Sequence, residues 1–157
     1  MNRLTAPSPL GPLTISEEDG AIVALDFENA GARDETALLR RARRELEQYF
    51  ARSRQVFDLP LKTGGTGFQR AVWDRMLAIP YGETRSYGEV AKALRSGPRA
   101  VGGACGANAI PILIPCHRIV GARGALGGYS GGAGPAVKRA LLDLESGRHL
   151  SPLERAR

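Results

Sequence analysis

The sequence predicts an α/β protein: a small N-terminal α/β domain, residues 1–63, and a mainly helical C-terminal domain, residues 64–157, that carries a helix-turn-helix. Three observations lead there. Two short apolar runs flank an acidic Asp-Gly turn, and one segment of helical period follows them. A glycine-rich link, Thr63-Gly-Gly-Thr-Gly67, then separates that half from the rest. Beyond it come short helical patterns with cap residues, interrupted by an apolar stretch, Ile110-Pro-Ile-Leu-Ile-Pro115, that leads into Cys116 and His117.

A chain of 157 residues can bury a real core. Its 43% hydrophobic and 24% charged residues are those of an ordinary globular protein. A formal charge of +6 suits a polyanionic partner. The cysteines are Cys105 and Cys116, too few for a disulfide framework. With His117 and His149 they make no zinc-type Cys-x-x-Cys pair, so neither metal nor cofactor is expected. No stretch approaches the length of a membrane span, and no apolar signal core follows Met1-Asn-Arg3. The expected setting is a reducing cytoplasm, where Cys116 stays a free thiol.

Residues 1–13 hold Pro7, Pro9 and Pro12 and lead into Leu13-Thr-Ile-Ser16. This run and Ala21–Phe27, joined through Glu17-Glu-Asp-Gly20, read as a β-hairpin. Asp34 stands where it can cap a helix in which Leu38, Leu39, Ala42, Leu46, Tyr49 and Phe50 recur at helical spacing. The other face, with Arg40, Arg41, Arg43, Arg44, Glu45 and Glu47, reads as solvated. Gln55 to Lys62 returns to a strand pattern. Residues 68–79 form an amphipathic helix with Phe68, Val72, Trp73, Met76 and Ile79 along one side, and Trp73 as a core anchor.

Ser86-Tyr-Gly-Glu89 has the spacing of a capping box and opens a short helix that Arg95-Ser-Gly-Pro98 breaks. Pro98 suits the first position of a second helix, Arg99 to Ala107. Two short helices about a glycine turn make a helix-turn-helix pattern, whose second helix normally meets DNA. Here that helix carries Arg99, Ala100, Gly102, Gly103 and Gly106. Each glycine costs up to about 1 kcal/mol relative to alanine. So small a surface admits another backbone closely, and Arg99 is its one long cation, which suits shape-led rather than base-specific DNA binding.

Asn108 reads as a hinge or as a simple C-cap. The apolar run after it reads as a buried strand or extended segment that Pro115 interrupts just before the thiol. A free cysteine titrates near about 8.5, so the thiolate needs help at neutral pH. His117 is the base at hand, but adjacent side chains diverge, which favours a bridging water between Cys116 and His117. The competing reading, a small buried hydrophobe, is weakened by the polar neighbours His117 and Arg118. Gly121 to Gly132 is a glycine-rich loop, either a phosphate cradle or a wall closing over a planar ligand; no Walker-type Lys-Ser/Thr follows, which excludes a nucleoside triphosphate. Pro135 to Leu144 is a helix with Val137, Leu141, Leu142 and Leu144 as its apolar residues. Glu145 at its end opposes the macrodipole and so calls for another partner. The tail from Ser146 reads as exposed, with His149 a surface residue.

In this order, Ser86-Tyr87, Arg99-Ala-Val-Gly102, Asn108, Pro115-Cys-His-Arg118 and Tyr129-Ser-Gly-Gly132 resemble the O6-alkylguanine-DNA alkyltransferases, also called methylated-DNA–protein-cysteine methyltransferases. The match runs from Phe68 to Glu145 and, more loosely, to Ser8–Leu13. The resemblance implies irreversible transfer of an alkyl group from O6-alkylguanine in double-stranded DNA, with O4-alkylthymine as a second candidate substrate, to Cys116 after base flipping through the minor groove. It implies that His117 is the base through a water, that Glu145 orients His117, that Asn108 is the hinge, and that Tyr87 donates a proton to the departing guanine. Arg99 would fill the gap left by the flipped base, and Tyr87, Ala100, Gly102 and Gly103 would meet DNA. Pro111, Ile119, Leu126, Tyr129 and Ser130 would shape the base pocket. A monomer that clusters on DNA fits this picture. The N-terminal half has neither cysteine nor histidine, so the structural zinc of some relatives is not expected. Ala109 stands where many members have proline, and Gly134-Pro135 reads as a short insertion before the last helix. A lesion sensor without transfer and a cysteine hydrolase are the other classes these residues permit.

Overall fold

The structure is a computed structural model and describes residues 1–125 and 134–147. Strands β1 (Asn2–Ala6), β2 (Leu13–Glu18) and β3 (Ala21–Asp26) form an antiparallel sheet in the order β1-β2-β3. β2 and β3 are the expected hairpin, and its turn residues Asp19 and Gly20 take φ of 52° and 78°. β1 is an addition to the sequence reading. All three prolines fall in the connection after it, so Asn2 to Ala6 keep their amide donors and pair with β2 from Asn2↔Glu17 to Ala6↔Leu13.

Helix α1 (Ala37–Phe50) buries Leu39, Ala42, Leu46 and Tyr49. Two details differ from expectation. The cap is Thr36, whose Oγ1 accepts from Leu39 N at 3.1 Å. Asp34 instead accepts from Arg3 N at 2.9 Å, because Arg33 bridges to Leu4 and draws the chain alongside β1. Glu45 is not on a solvated face. It is buried, where it accepts from Asp58 N at 2.8 Å and pairs with Arg41 at 3.3 Å and Arg54 at 3.6 Å.

Gln55 to Lys62 is not a strand. It makes a single bridge, Leu61 to Ile22, flanked by Ile22 N donating to Pro60 O and Lys62 N to Ile22 O. Pro60 has no donor to extend the ladder, and Val56 is 74% exposed. The link to the helical part depends on Gly65, at φ 85°, where a Cβ would stand 2.6 Å from the Trp73 ring. Thr66 and Gln69 form a reciprocal capping box that starts α2 (Gly67–Leu77). Trp73 is buried as expected, and its Nε1 donates to Ala104 O at 2.8 Å, which ties α2 to the second helix of the helix-turn-helix.

That motif consists of α3 (Tyr87–Ala93) and α4 (Pro98–Gly106), preceded by the short strand β4 (Arg85–Ser86). Ser86 Oγ accepts from Glu89 N at 3.0 Å, and Pro98 occupies the first turn of α4. The apolar run 110–114 is a buried turn, not a strand. Pro111 and Pro115 deny it ladder donors, Ile114 N donates back to Ile110 O, and Ile112 adopts φ 72°. Cys116–Arg118 is one 3₁₀ turn, followed by β5 (Ile119–Val120), which pairs in parallel with β4. Helix α5 (Pro135–Glu145) closes the described chain. No helix among the described residues is long and apolar enough to cross a membrane.

Candidate active site

Asn108 fixes the segment that delivers the thiol. Its Nδ2 donates to Ile114 O at 3.0 Å and its Oδ1 accepts from Ile110 N at 2.9 Å. The C-cap of α4 is Ala107, so Asn108 acts beyond the helix, joining both ends of the turn before Cys116. A β-branched residue at positive φ, as at Ile112, stores roughly 1–3 kcal/mol of strain. The Asn108 clamp and the burial of Ile110, Ile112 and Ile114 hold it in place. Cys116, at the start of the 3₁₀ turn, is 5% exposed.

His117 is fully buried, with Nε2 2.7 Å from Glu145 Oε2. Glu145 ends α5 with a crowd of donors. Arg118 Nε reaches Oε1 at 2.8 Å, Arg118 Nη2 reaches Oε2 at 3.0 Å, and Tyr49 OH donates to Oε2 at 2.6 Å. Arg118 also donates through Nη1 to Ile79 O at 2.7 Å. Burial works against the Glu145 carboxylate, but hydrogen bonds from His117 and Arg118, together with the Arg118 charge, outweigh it and hold its pKa down, to about 2. Burial pushes His117 below its ordinary value, and the opposing pull of Glu145 does not reverse this. The imidazole is therefore neutral, and the Arg118 guanidinium is the charge that balances Glu145. An ionised carboxylate at Nε2 requires Nε2 to carry the proton, which leaves Nδ1 as the basic nitrogen. Nδ1 is buried and has no hydrogen-bond partner among the described residues.

A cleft of about 700 Å³ is lined by Ser86, Tyr87, Gly88, Pro98, Arg99 and Gly102 from the helix-turn-helix and by Gly121 and Ala122 just after β5. Arg99 and Ala100 are exposed at the start of α4. A Cβ on Gly102, Gly103 or Gly106 would meet nothing within 4 Å, so the bare strip faces outward and serves no internal packing. Half-buried Tyr87 accepts from Lys138 Nζ at 3.3 Å, and the ammonium also stands 5.4 Å from the ring centroid. Burial, then the neighbouring sulfurs of Cys105 and Cys116, push the Tyr87 phenol up to about 12, so it stays a proton donor. Lys138 is fully buried, and burial lowers its pKa.

Of the sequence candidates, Cys116, His117, Asn108 and Glu145 come together around the 3₁₀ turn, and Tyr87, Arg99 and Gly102 share the cleft. Pro111 and Ile119 are buried and do not line the cleft. Leu126, Tyr129, Ser130 and His149 lie outside the described residues. Among the described residues no three His, Cys, Asp or Glu side chains are grouped so as to hold a metal ion. Sequence reasoning missed three participants. Arg118 was legible as a cation beside an apolar run. Lys138 sits at the apolar spacing of Val137 and Leu141 and gave no separate signal. Tyr49 looked like any core aromatic.

Two family profiles match this chain. That of the 6-O-methylguanine DNA methyltransferase ribonuclease-like domain covers residues 1–63, and that of the 6-O-methylguanine DNA methyltransferase DNA binding domain covers residues 67–147. The constitutive methylated-DNA–protein-cysteine methyltransferase of Bacillus subtilis is 42% identical over 154 residues, covering 90% of this chain and 93% of its own. The Methanosarcina acetivorans methylated-DNA–protein-cysteine methyltransferase is 40% identical over 148 residues, 88% of this chain and 94% of its own. The crystal structure of Mycobacterium tuberculosis OGT in complex with DNA superposes with a TM-score of 0.87 at 40% identity over 100% of both chains. With both halves matched and relatives similar along nearly their whole length, the chain belongs to the 6-O-methylguanine DNA methyltransferase family.

Proposed function

We propose that this protein repairs DNA by a single, irreversible transfer of an alkyl group from O6 of guanine to Cys116. The observation that carries the reading is the buried Glu145–His117 pair directly beside the cysteine, with a basic nitrogen left over at Nδ1. Cys116 gives its proton through a water to Nδ1 of His117, and Glu145 and Arg118 hold the ring in the tautomer that can receive it. The thiolate attacks the alkyl carbon. The S–C bond forms, the C–O6 bond breaks, and its electron pair passes into the purine. Tyr87 supplies a proton so that guanine leaves neutral, and the Lys138 ammonium on the Tyr87 oxygen steadies the charge left there. The thioether has no route back to a thiol, so each molecule acts once.

Helix α4 enters the minor groove with its bare glycine strip, and Arg99 fills the gap left by the flipped guanine. Pro111, Ile119, Leu126, Tyr129 and Ser130 remain the candidates for the base pocket. O4-alkylthymine is the second candidate substrate. The protein works as a monomer that can cluster on DNA, in the cytoplasm, with the 1–63 and 64–157 halves as its two domains. Intact mass after incubation with an O6-methylguanine duplex tests the central claim. Wild type should gain about 14 Da and Cys116→Ala nothing. Retained lesion binding with no gain in mass would overturn it and leave a lesion sensor.

A further inference from the structure

We propose that Tyr49, on α1 of the N-terminal sheet domain, is a positioning residue for alkyl transfer, holding Glu145 by the same oxygen that accepts from His117. The proposal rests on the reading of His117 as the base. Three donors converge on Oε2: Tyr49 OH at 2.6 Å, His117 Nε2 at 2.7 Å and Arg118 Nη2 at 3.0 Å. Tyr49 comes from 96 residues away in sequence and is fully buried. Its ring is fixed by Phe50 and Phe57, each 5.2 Å away between centroids, and by Tyr81 edge-on at 6.2 Å. A simple strut between the two halves would need only that ring. The hydroxyl is aimed at the one carboxylate oxygen that sets the basicity of His117.

The groups around this oxygen define what the hydroxyl does. The 3₁₀ turn contributes His117 and Arg118, α5 contributes Glu145 and Lys138, the segment after α2 contributes Tyr81, and α1 contributes Tyr49. Arg52, just past α1, acts on Tyr81. Burial first, and then the Glu145 charge, push the Tyr49 phenol well above its ordinary value, so it is a donor throughout the working pH range. A donor on Oε2 draws negative charge away from the oxygen facing His117. The carboxylate then stabilises an imidazolium less, and the ring stays neutral with Nδ1 free to take the Cys116 proton. The N-terminal domain thus reaches into the chemistry of the C-terminal part through one hydrogen bond.

Tyr49→Phe keeps the ring and removes the donor. Single-turnover methyl transfer from an O6-methylguanine duplex is measured against pH for wild type and variant, with thermal unfolding alongside. The acid limb should move to higher pH by about half a unit to one unit, with the alkaline plateau retained. An unmoved limb, or one moved to lower pH, overturns the proposal, whatever the melting temperature does. The protein has two histidines, so NMR titration of the imidazole signals follows His117 directly. Its midpoint should rise in Tyr49→Phe, and an unchanged midpoint overturns the proposal. This readout stands without any transfer: wild type that fails to accept methyl would refute the alkyl-transfer reading while the titration still decides the role of Tyr49.

Discussion

Replacing Arg118 by methionine removes the charge that balances Glu145 but keeps a side chain of similar length. In the folded protein Arg118 makes two bonds to the carboxylate, at 2.8 and 3.0 Å, and one to Ile79 O at 2.7 Å. What remains around Glu145 is a neutral imidazole and a phenol, in a site where its side chain is about 1% exposed. Removing one partner of a buried pair in this way costs about 3–5 kcal/mol, since the other charge is left desolvated. Urea denaturation at neutral pH reads that loss as a lower midpoint at unchanged slope. Arg118→Lys keeps the charge but loses the two-pronged geometry, and should lose less. Adding Glu145→Gln to Arg118→Met removes the unpaired charge and should restore at least about 1 kcal/mol relative to Arg118→Met alone. If Arg118→Met costs under about 1 kcal/mol, the carboxylate is not an ionised, desolvated group held by Arg118, and the electrostatic account of the site fails.

Three further outcomes follow from the same geometry. Asn108→Ala removes both bonds across the 110–114 turn and leaves Ile114 O and Ile110 N without them; it should cost about 2–4 kcal/mol by denaturation and slow methyl transfer more than DNA binding. Gly102→Ala should stabilise the protein by up to about 1 kcal/mol, because nothing inside the fold meets the added methyl, yet weaken duplex binding in a fluorescence-anisotropy titration. Acid lability has a definite sign. His117 is neutral in the fold with a pKa below 6.5, so its contribution is present above 6.5 and falls away as pH drops below it. Glu145 falls from 4.5 to about 2, so its contribution is present above 4.5 and is lost as pH drops toward 2. Thermal unfolding between neutral and acid pH should show both losses, and His117→Gln should remove the first.

The hairpin, the amphipathic helices, the helix-turn-helix and the order of the reactive residues are legible in the amino-acid sequence. These are local matters: alternation and helical period show which face is apolar, and Ser86, Pro98 and the Asp19-Gly20 turn mark element ends within a few residues. It also showed that Glu145, against its helix dipole, needed a partner. It misjudged 55–62 and 110–114 as extended because apolar runs do not reveal whether a ladder is available, and Pro60, Pro111 and Pro115 remove the donors one would need. β1 was hidden because a five-residue edge strand is stabilised by the neighbour it pairs with. That the Glu145 carboxylate is shared by His117, Arg118 and Tyr49, and that Lys138 sits on Tyr87, emerges from the folded chain alone. Hydrogen bonds and desolvation depend on distances of a few ångströms between groups 27 to 96 residues apart, and no spacing along the chain encodes such distances.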